Sequence, residues 1–261
     1  MTRVVSAIVL LPIVLGVIIY LPPLGTWILG GVVLTLAFIE YAGLAKRLSP
    51  GAPLTVSGAG TLAIYTAIAA NAPLEPVLVS LTLALAMLTV GRGRPEEDVL
   101  RAMAVTALPA LYLGLTLGLA LSVRALWGAA ALLLPFLTIV ISDSAQYYGG
   151  RLMGRRPLSP TISPKKTVEG AIAGVVAAAI ATPFLAMWAF PGKPAWAGAL
   201  LGILLALTGI AGDLFESLLK RSAGVKDSSG LIPGHGGMLD RIDALLFAGP
   251  VYYLFLRYAG W

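Results

Sequence analysis

In 261 residues, 58% are hydrophobic and only 11% charged, and the mean hydropathy is +0.91. A soluble domain carries about a quarter charged residues, so a soluble globular protein is excluded and an all-α, polytopic membrane protein is expected. Cysteine is absent, which excludes disulfides, thiolate metal sites and cysteine nucleophiles. The net charge of +6 is no nucleic-acid signal, because the bases sit between apolar runs.

A membrane-spanning helix needs about 20 mostly apolar residues. The pattern predicts nine spans, at roughly 4–21, 25–45, 54–71, 74–91, 99–121, 125–148, 168–190, 195–218 and 240–258. The first run lacks a small-x-small cleavage site and continues into Pro22-Pro23, so it reads as a retained span rather than a signal peptide. Spans three and four are separated only by Asn71 to Pro76, and a re-entrant pair is the alternative. Pro12, Pro73, Pro109, Pro135 and Pro183 predict kinks that neighbouring helices can tolerate. The loop from Arg92 to Asp98 mixes charge signs and reads as a solvated connector.

Charge asymmetry sets the expected orientation. With the N-terminus and the loops after spans two, four, six and eight on one side, that side holds every Lys and Arg except Arg124, Lys193 and Arg257. The positive-inside rule then places the N-terminus and these loops in the cytoplasm, in the cell's inner (plasma) membrane. Tyr252, Tyr253 and Trp261 read as an interfacial aromatic belt on the far side.

Polarity changes along the chain. Residues 1–139 carry few polar groups beyond Glu40 and read as a transmembrane scaffold. Residues 140–261 read as the catalytic region. Asp143, Tyr147 and Arg151 sit at i, i+4 and i+8 at the end of span six. Ser163-Pro164-Lys165-Lys166-Thr167-Val168-Glu169-Gly170 follows. Ser163 is the expected N-cap and Pro164 the N1 residue of span seven. A helix start with free N–H groups beside two lysines suits an anion.

The densest charge lies between Gly212 and Asp243. Asp213, Glu216, Ser217, Lys220 and Arg221 fall on one helical face, and Asp240 and Asp243 repeat the i, i+3 spacing after a loop. That loop holds Lys226, Asp227, Gly230, Pro233, Gly234, His235, Gly236 and Gly237, and its glycines suit close approach of backbone to a ligand. Two helix ends therefore carry carboxylates, joined by a glycine-rich, basic loop. Mg²⁺ is typically held by one or two carboxylates plus substrate phosphates, and Lys and Arg suit the phosphate oxygens.

The pattern Ser217-x2-Lys220-Arg221-x4-Lys226-Asp227, then Pro233-Gly234-His235-Gly236-Gly237-x2-Asp240-Arg241-x-Asp243, resembles the signature of the CDP-diacylglycerol synthases, or phosphatidate cytidylyltransferases. Asp143-x3-Tyr147-x3-Arg151 and Ser163 to Gly170 resemble that family too. The likeness is close over roughly 140–245. Before that it is limited to Glu40-Tyr41 and Pro109-x2-Tyr112-x-Gly114. Gln146 stands where many members carry a small residue. The resemblance implies Mg²⁺-dependent conversion of CTP and phosphatidic acid to CDP-diacylglycerol and pyrophosphate by a multi-span homodimer. It also implies that Asp213 and Asp240 ligate a two-cation centre, with K⁺ a candidate for the second cation.

The chemistry of the residues points the same way. A lipid phosphate has a second pKa near 6 and needs no strong base. The obstacle is repulsion between it and a triphosphate, which cations remove. Asp213, Asp240, Lys220, Arg221 and His235 are the catalytic candidates, and Glu216 and Asp243 are further metal ligands. Substrate contacts are expected from Asp143, Tyr147, Arg151, Ser163, Lys165, Lys166, Thr167, Glu169, Ser217, Lys226, Asp227, Gly236, Gly237 and Arg241. Simpler readings stay open: ion pairs of Asp213 and Asp240 with Arg221 and Arg241, a turn at Asp227, a backbone contact at His235, and lysine anchors at Lys165 and Lys166. A CTP-dependent lipid-alcohol kinase is the alternative enzyme, and a transporter the alternative class.

Overall fold

The structure is a computed structural model describing residues 2–91, 98–229 and 236–261, with side chains described from residue 11 onward. The expected connector at Arg92–Asp98 and the loop residues Gly230, Pro233, Gly234 and His235 thus lie wholly or largely outside the described residues. The rest is mostly helical: α1 (Thr2–Tyr20), α2 (Pro23–Leu48), α3 (Leu54–Ala69), α4 (Glu75–Gly91), α5 (Val99–Pro109), a π-helical segment (Ala110–Leu115), α6 (Thr116–Trp127), α7 (Ala129–Met153), α8 (Val168–Ala189), α9 (Ala195–Ser222) and α10 (Leu239–Tyr258). Among these, α2, the run Val99–Trp127, α7, α8 and α9 are long and apolar enough to cross a membrane. The chain is a helical membrane protein.

Each apolar run overlaps helix, the fifth covering α5, the π-helical segment and part of α6, and the ends move for identifiable reasons. Pro109 closes α5, but the π-helical turn carries the chain straight into α6. In that turn Gly114 lies against α3, where an added Cβ would meet the Thr61 carbonyl oxygen at 2.5 Å. Gly128, at φ 94°, separates α6 from α7. Pro12, Pro135 and Pro183 lie inside helices. Pro73 does not kink a helix, because it falls in the link between α3 and α4.

Between α7 and α8 the all-helical architecture is interrupted once. A two-stranded antiparallel hairpin, β1 (Pro157–Ser159) and β2 (Ser163–Thr167), pairs Pro157 with Thr167 and Ser159 with Ser163. Arg156, Ser159 and Ser163 each precede a proline, which biases them to extended backbone. Ser163 is therefore a strand residue and not the cap of α8. Thr167 caps instead, its Oγ1 accepting the Gly170 N–H at 3.1 Å.

The site is positioned by the antiparallel run α7–α8–α9–α10, in which each helix packs on the next. The buried residues of α8 are Gly170, Gly174, Ala178, Thr182 and Ala186, a small residue at every fourth position. Small residues let backbones close up without a hydrophobic driving force between helices. An added Cβ on Gly174 would meet Gln146 Cγ of α7 at 2.4 Å, and one on Gly202 of α9 would meet the Ala178 carbonyl oxygen at 2.4 Å. Thr138 and Thr182 hydrogen-bond across the α7–α8 contact at 3.2 Å.

The opposite end of the bundle holds the three exceptions to the charge asymmetry. Arg124 donates to the carbonyls of Ile18 and Leu21, Lys193 to that of Gly260, and Arg257 to the Tyr253 hydroxyl. Trp127 Nε1 donates to the Trp261 carbonyl, and Trp261 packs edge-on against Phe190 and Phe255. Tyr252 does not belong to an exposed belt. It is fully buried and donates to the Ala131 carbonyl at 2.9 Å, because its turn of α10 faces the bundle interior.

Candidate functional site

The last turns of α9 and the first turn of α10 meet where Gly212 allows it. An added Cβ there would lie 2.4 Å from the Asp243 carbonyl oxygen. Asp213 follows directly, so the closest approach of the two helices sets Asp213 beside Asp243. Three residues on, Glu216 is completely buried, and Lys220 one turn further ion-pairs with both Glu216 and Asp240. The i, i+4 spacing within α9 and the tip of α10 thus converge on one ammonium group.

A second lysine arrives from β2. Alternation along the strand leaves Lys165 exposed and turns Lys166 inward, where Lys166 ion-pairs with Asp213 Oδ2. Ser217 Oγ lies 3.4 Å from Asp213 Oδ1, long for a hydroxyl bond. Asp143 of α7 accepts from Gln146 Nε2 at 2.9 Å and lies within electrostatic range of Lys166 and Asp213. The cluster therefore holds Asp143, Asp213, Glu216, Asp240 and Asp243, with Lys166 and Lys220 paired into it, and acids outnumber lysines.

Asp240 is the most fully engaged of these acids. Its Oδ1 accepts from Lys220 at 2.5 Å, its Oδ2 accepts the Gly237 N–H at 2.8 Å, and Ser228 Oγ lies 3.0 Å from Oδ2. The two described loop glycines are explained by this chain's own carboxylates. Gly236 has φ 79°, and an added Cβ would meet Asp240 Oδ2 at 2.8 Å. A Cβ on Gly237 would lie 2.0 Å from Ser228 Oγ and 2.3 Å from Glu40 Oε2.

The remaining predicted residues are placed as follows. Arg221 braces the hairpin, its Nε donating to the Ile162 carbonyl and Nη1 to that of Val225. Glu169 accepts the N–H groups of Arg155 and Arg156, and Thr167 is engaged as the cap of α8. Ser163 is in the hairpin. Tyr147 and Arg151 are exposed on α7, Tyr147 stacking edge-on with Tyr148. Lys226, Asp227 and Arg241 are exposed. His235 lies outside the described residues.

Two contributors were noted in the sequence but given no role at the site. Tyr112, in the π-helical turn, packs edge-on against Phe215 and Phe247 and presents a buried hydroxyl without a hydrogen-bond partner among the described residues. Glu40 of α2 reaches the start of α10. Besides the Glu40-Tyr41 likeness, its sequence signal is an acid inside an apolar span, which in a membrane is usually functional.

Do these residues fit a divalent cation? Among the described residues, no three carboxylates or histidines converge closely enough to enclose one ion. Mg²⁺ does not require such a cage, since it keeps several waters and takes one or two carboxylates plus phosphate oxygens. The excess of acids, their oxygen-only chemistry and the buried Glu216 Oε1, which has no hydrogen-bond partner among the described residues, are compatible with such a cation.

Fold and site define a class: a helical membrane protein with an acid–lysine cluster where the tips of α9 and α10 meet a lysine-bearing hairpin. The chain belongs to the Cytidylyltransferase family, which it matches over residues 1–259. It is 37% identical to the phosphatidate cytidylyltransferase of Helicobacter pylori strain 26695 over 175 residues, 67% of this chain and 62% of that protein. It is 46% identical to that of Synechocystis over 131 residues, 49% of this chain and 44% of the relative. An Arabidopsis thaliana chloroplastic phosphatidate cytidylyltransferase is 41% identical over 155 residues, 58% of this chain and 39% of the relative. The chain thus spans less than two thirds of the length of these relatives.

Proposed function

We propose that the protein transfers CMP from CTP to phosphatidic acid, giving CDP-diacylglycerol and pyrophosphate. The observation that carries this reading is the meeting of Asp213, Glu216 and Lys220 of α9 with Asp240 and Asp243 of α10, in a chain of the Cytidylyltransferase family. An oxygen of the lipid phosphate attacks the α-phosphorus of CTP. The bond from that phosphorus to the bridging oxygen breaks, and pyrophosphate leaves with the electron pair.

Asp213 and Asp240 are the proposed ligands of a two-cation Mg²⁺ centre, with K⁺ a candidate for the second ion and Glu216 and Asp243 in support. Bound cations supply charge neutralisation that lets the two anionic substrates meet. Lys166 and Lys220 bring further positive charge to the phosphates, and Arg221 holds the hairpin that carries Lys166. The Lys220 ammonium offsets the charge of both the Asp240 and Glu216 carboxylates. His235 and Lys226 from the loop, and Arg241 from the first turn of α10, are proposed phosphate contacts.

The same reading includes nine membrane crossings, a cytoplasmic site supplied with nucleotide, a homodimer, and a scaffold of residues 1–139 supporting a catalytic region of residues 140–261. Support for the orientation is the concentration of Lys and Arg at the hairpin end of the bundle.

CTP labelled on its α-phosphate, incubated with purified protein, Mg²⁺ and phosphatidic acid, should yield labelled lipid. CTP labelled on its γ-phosphate should yield none. Lipid label from the γ-phosphate alone would contradict the transfer and indicate a kinase.

A further inference from the structure

We propose that Glu40 is a positioning residue of this site, a carboxylate delivered from α2 that caps α10 and thereby fixes Asp240. The proposal rests on the reading of Asp240 as part of the reacting centre.

The start of α10 has no cap of its own. Met238 occupies the N-cap position and offers no side-chain hydrogen bond. The free N–H groups of a helix start need acceptors, and its partial positive charge favours an anion. Glu40 supplies both from a distant part of the chain. Its Oε1 accepts the Met238 N–H at 2.8 Å and Ser229 Oγ–H at 2.6 Å. Its Oε2 accepts the Leu239 N–H at 2.8 Å and lies 3.0 Å from Ser228 Oγ. Glu40 is 4% exposed. Burying a carboxylate is costly unless its oxygens are hydrogen-bonded, and here donors surround both of them.

The connection to Asp240 is short. Ser228 Oγ stands 3.0 Å from Glu40 Oε2 and 3.0 Å from Asp240 Oδ2, so its single proton serves one carboxylate at a time. Gly237 lies between the same two acids, with its N–H on Asp240 and no room for a Cβ beside Glu40. Any shift of Glu40 therefore moves the N–H and hydroxyl groups that orient Asp240. An apolar residue would fill the space as well, but it would leave the helix start uncapped.

Glu40→Gln keeps the size and one acceptor oxygen but turns an amide NH₂ toward donors. In purified full-length protein, amide hydrogen exchange at Met238 and Leu239 should accelerate about tenfold or more, since bonds to a charged acceptor are lost. The Mg²⁺ concentration for half-maximal rate and the Kd for Mn²⁺ read by paramagnetic resonance should rise by about tenfold, with the KM for phosphatidic acid unchanged. Glu40→Asp, which retains the charge, should recover part of both effects. Ser228→Ala/Ser229→Ala, which leaves the charge and both backbone bonds, should shift the same readouts less, and it carries the test if Glu40→Gln does not fold.

Unchanged exchange at Met238 and Leu239 would overturn the proposal. So would faster exchange with an unaltered Mg²⁺ response, which would make Glu40 a brace of the fold alone. If wild-type protein transfers no CMP while Glu40→Gln still loosens α10 and weakens Mn²⁺ binding, the transferase reading fails and the positioning role stands.

Discussion

Asp213→Asn is expected to lower CMP transfer by about a thousandfold or more while leaving the helical fold intact. A cation that clamps developing phosphate charge contributes several kcal/mol, and each ~1.4 kcal/mol is tenfold in rate. The Asp213 side chain is 35% exposed and its described partners are Lys166 and Ser217, so its loss affects stability little. Asp240→Asn should be as severe in turnover, but it also disturbs Lys220, Ser228 and Gly237. Asp213→Asn is therefore the cleaner variant. Initial rates at saturating CTP and phosphatidic acid, taken beside a thermal unfolding curve, check both; wild-type turnover in Asp213→Asn would refute its metal role.

The second large effect is on stability. Lys220→Met leaves the completely buried Glu216 without its ammonium partner. Breaking a buried pair by removing one member costs about 3–5 kcal/mol, because the remaining charge is uncompensated. The variant should unfold at markedly lower temperature in detergent, and turnover should fall with it. Adding Glu216→Gln removes the more deeply buried of the two carboxylates left without the ammonium, Asp240 being the other, and should restore part of the stability without restoring turnover. That split distinguishes a Lys220–Glu216 pair that serves the reaction from one that serves only packing. Equal melting temperatures for Lys220→Met and wild type would show that Glu216 is not held as an anion by Lys220.

Much of this site is legible in the sequence, since local spacing dictates it. Asp213, Glu216 and Lys220 share a helical face whatever surrounds them, and Asp240 follows a glycine-rich loop that returns the chain to the same end. Apolar runs locate the helices because a spanning segment must satisfy its backbone internally. The hairpin was missed because Ser163-Pro164 fits a helix start as well as a strand. The decision came from a series of prolines, each biasing the residue before it to extended backbone. Glu40 illustrates what local spacing cannot give. Its partners lie nearly two hundred residues away, and only the packing of α2 against α10 identifies which N–H groups it meets. The small-residue stripe of α8, from Gly170 to Ala186, was present in the letters but acquires meaning only once α7 and α9 are seen to press against it.

The central claim is that the tips of α9 and α10 hold the divalent ions through which two phosphates meet. Mn²⁺ binding to purified protein in the presence of CTP, followed by paramagnetic resonance in wild type and in Asp213→Asn/Asp240→Asn, tests it most directly. Saturable, CTP-dependent binding in wild type and its loss in the double variant is the predicted result; equal binding in both would contradict the account.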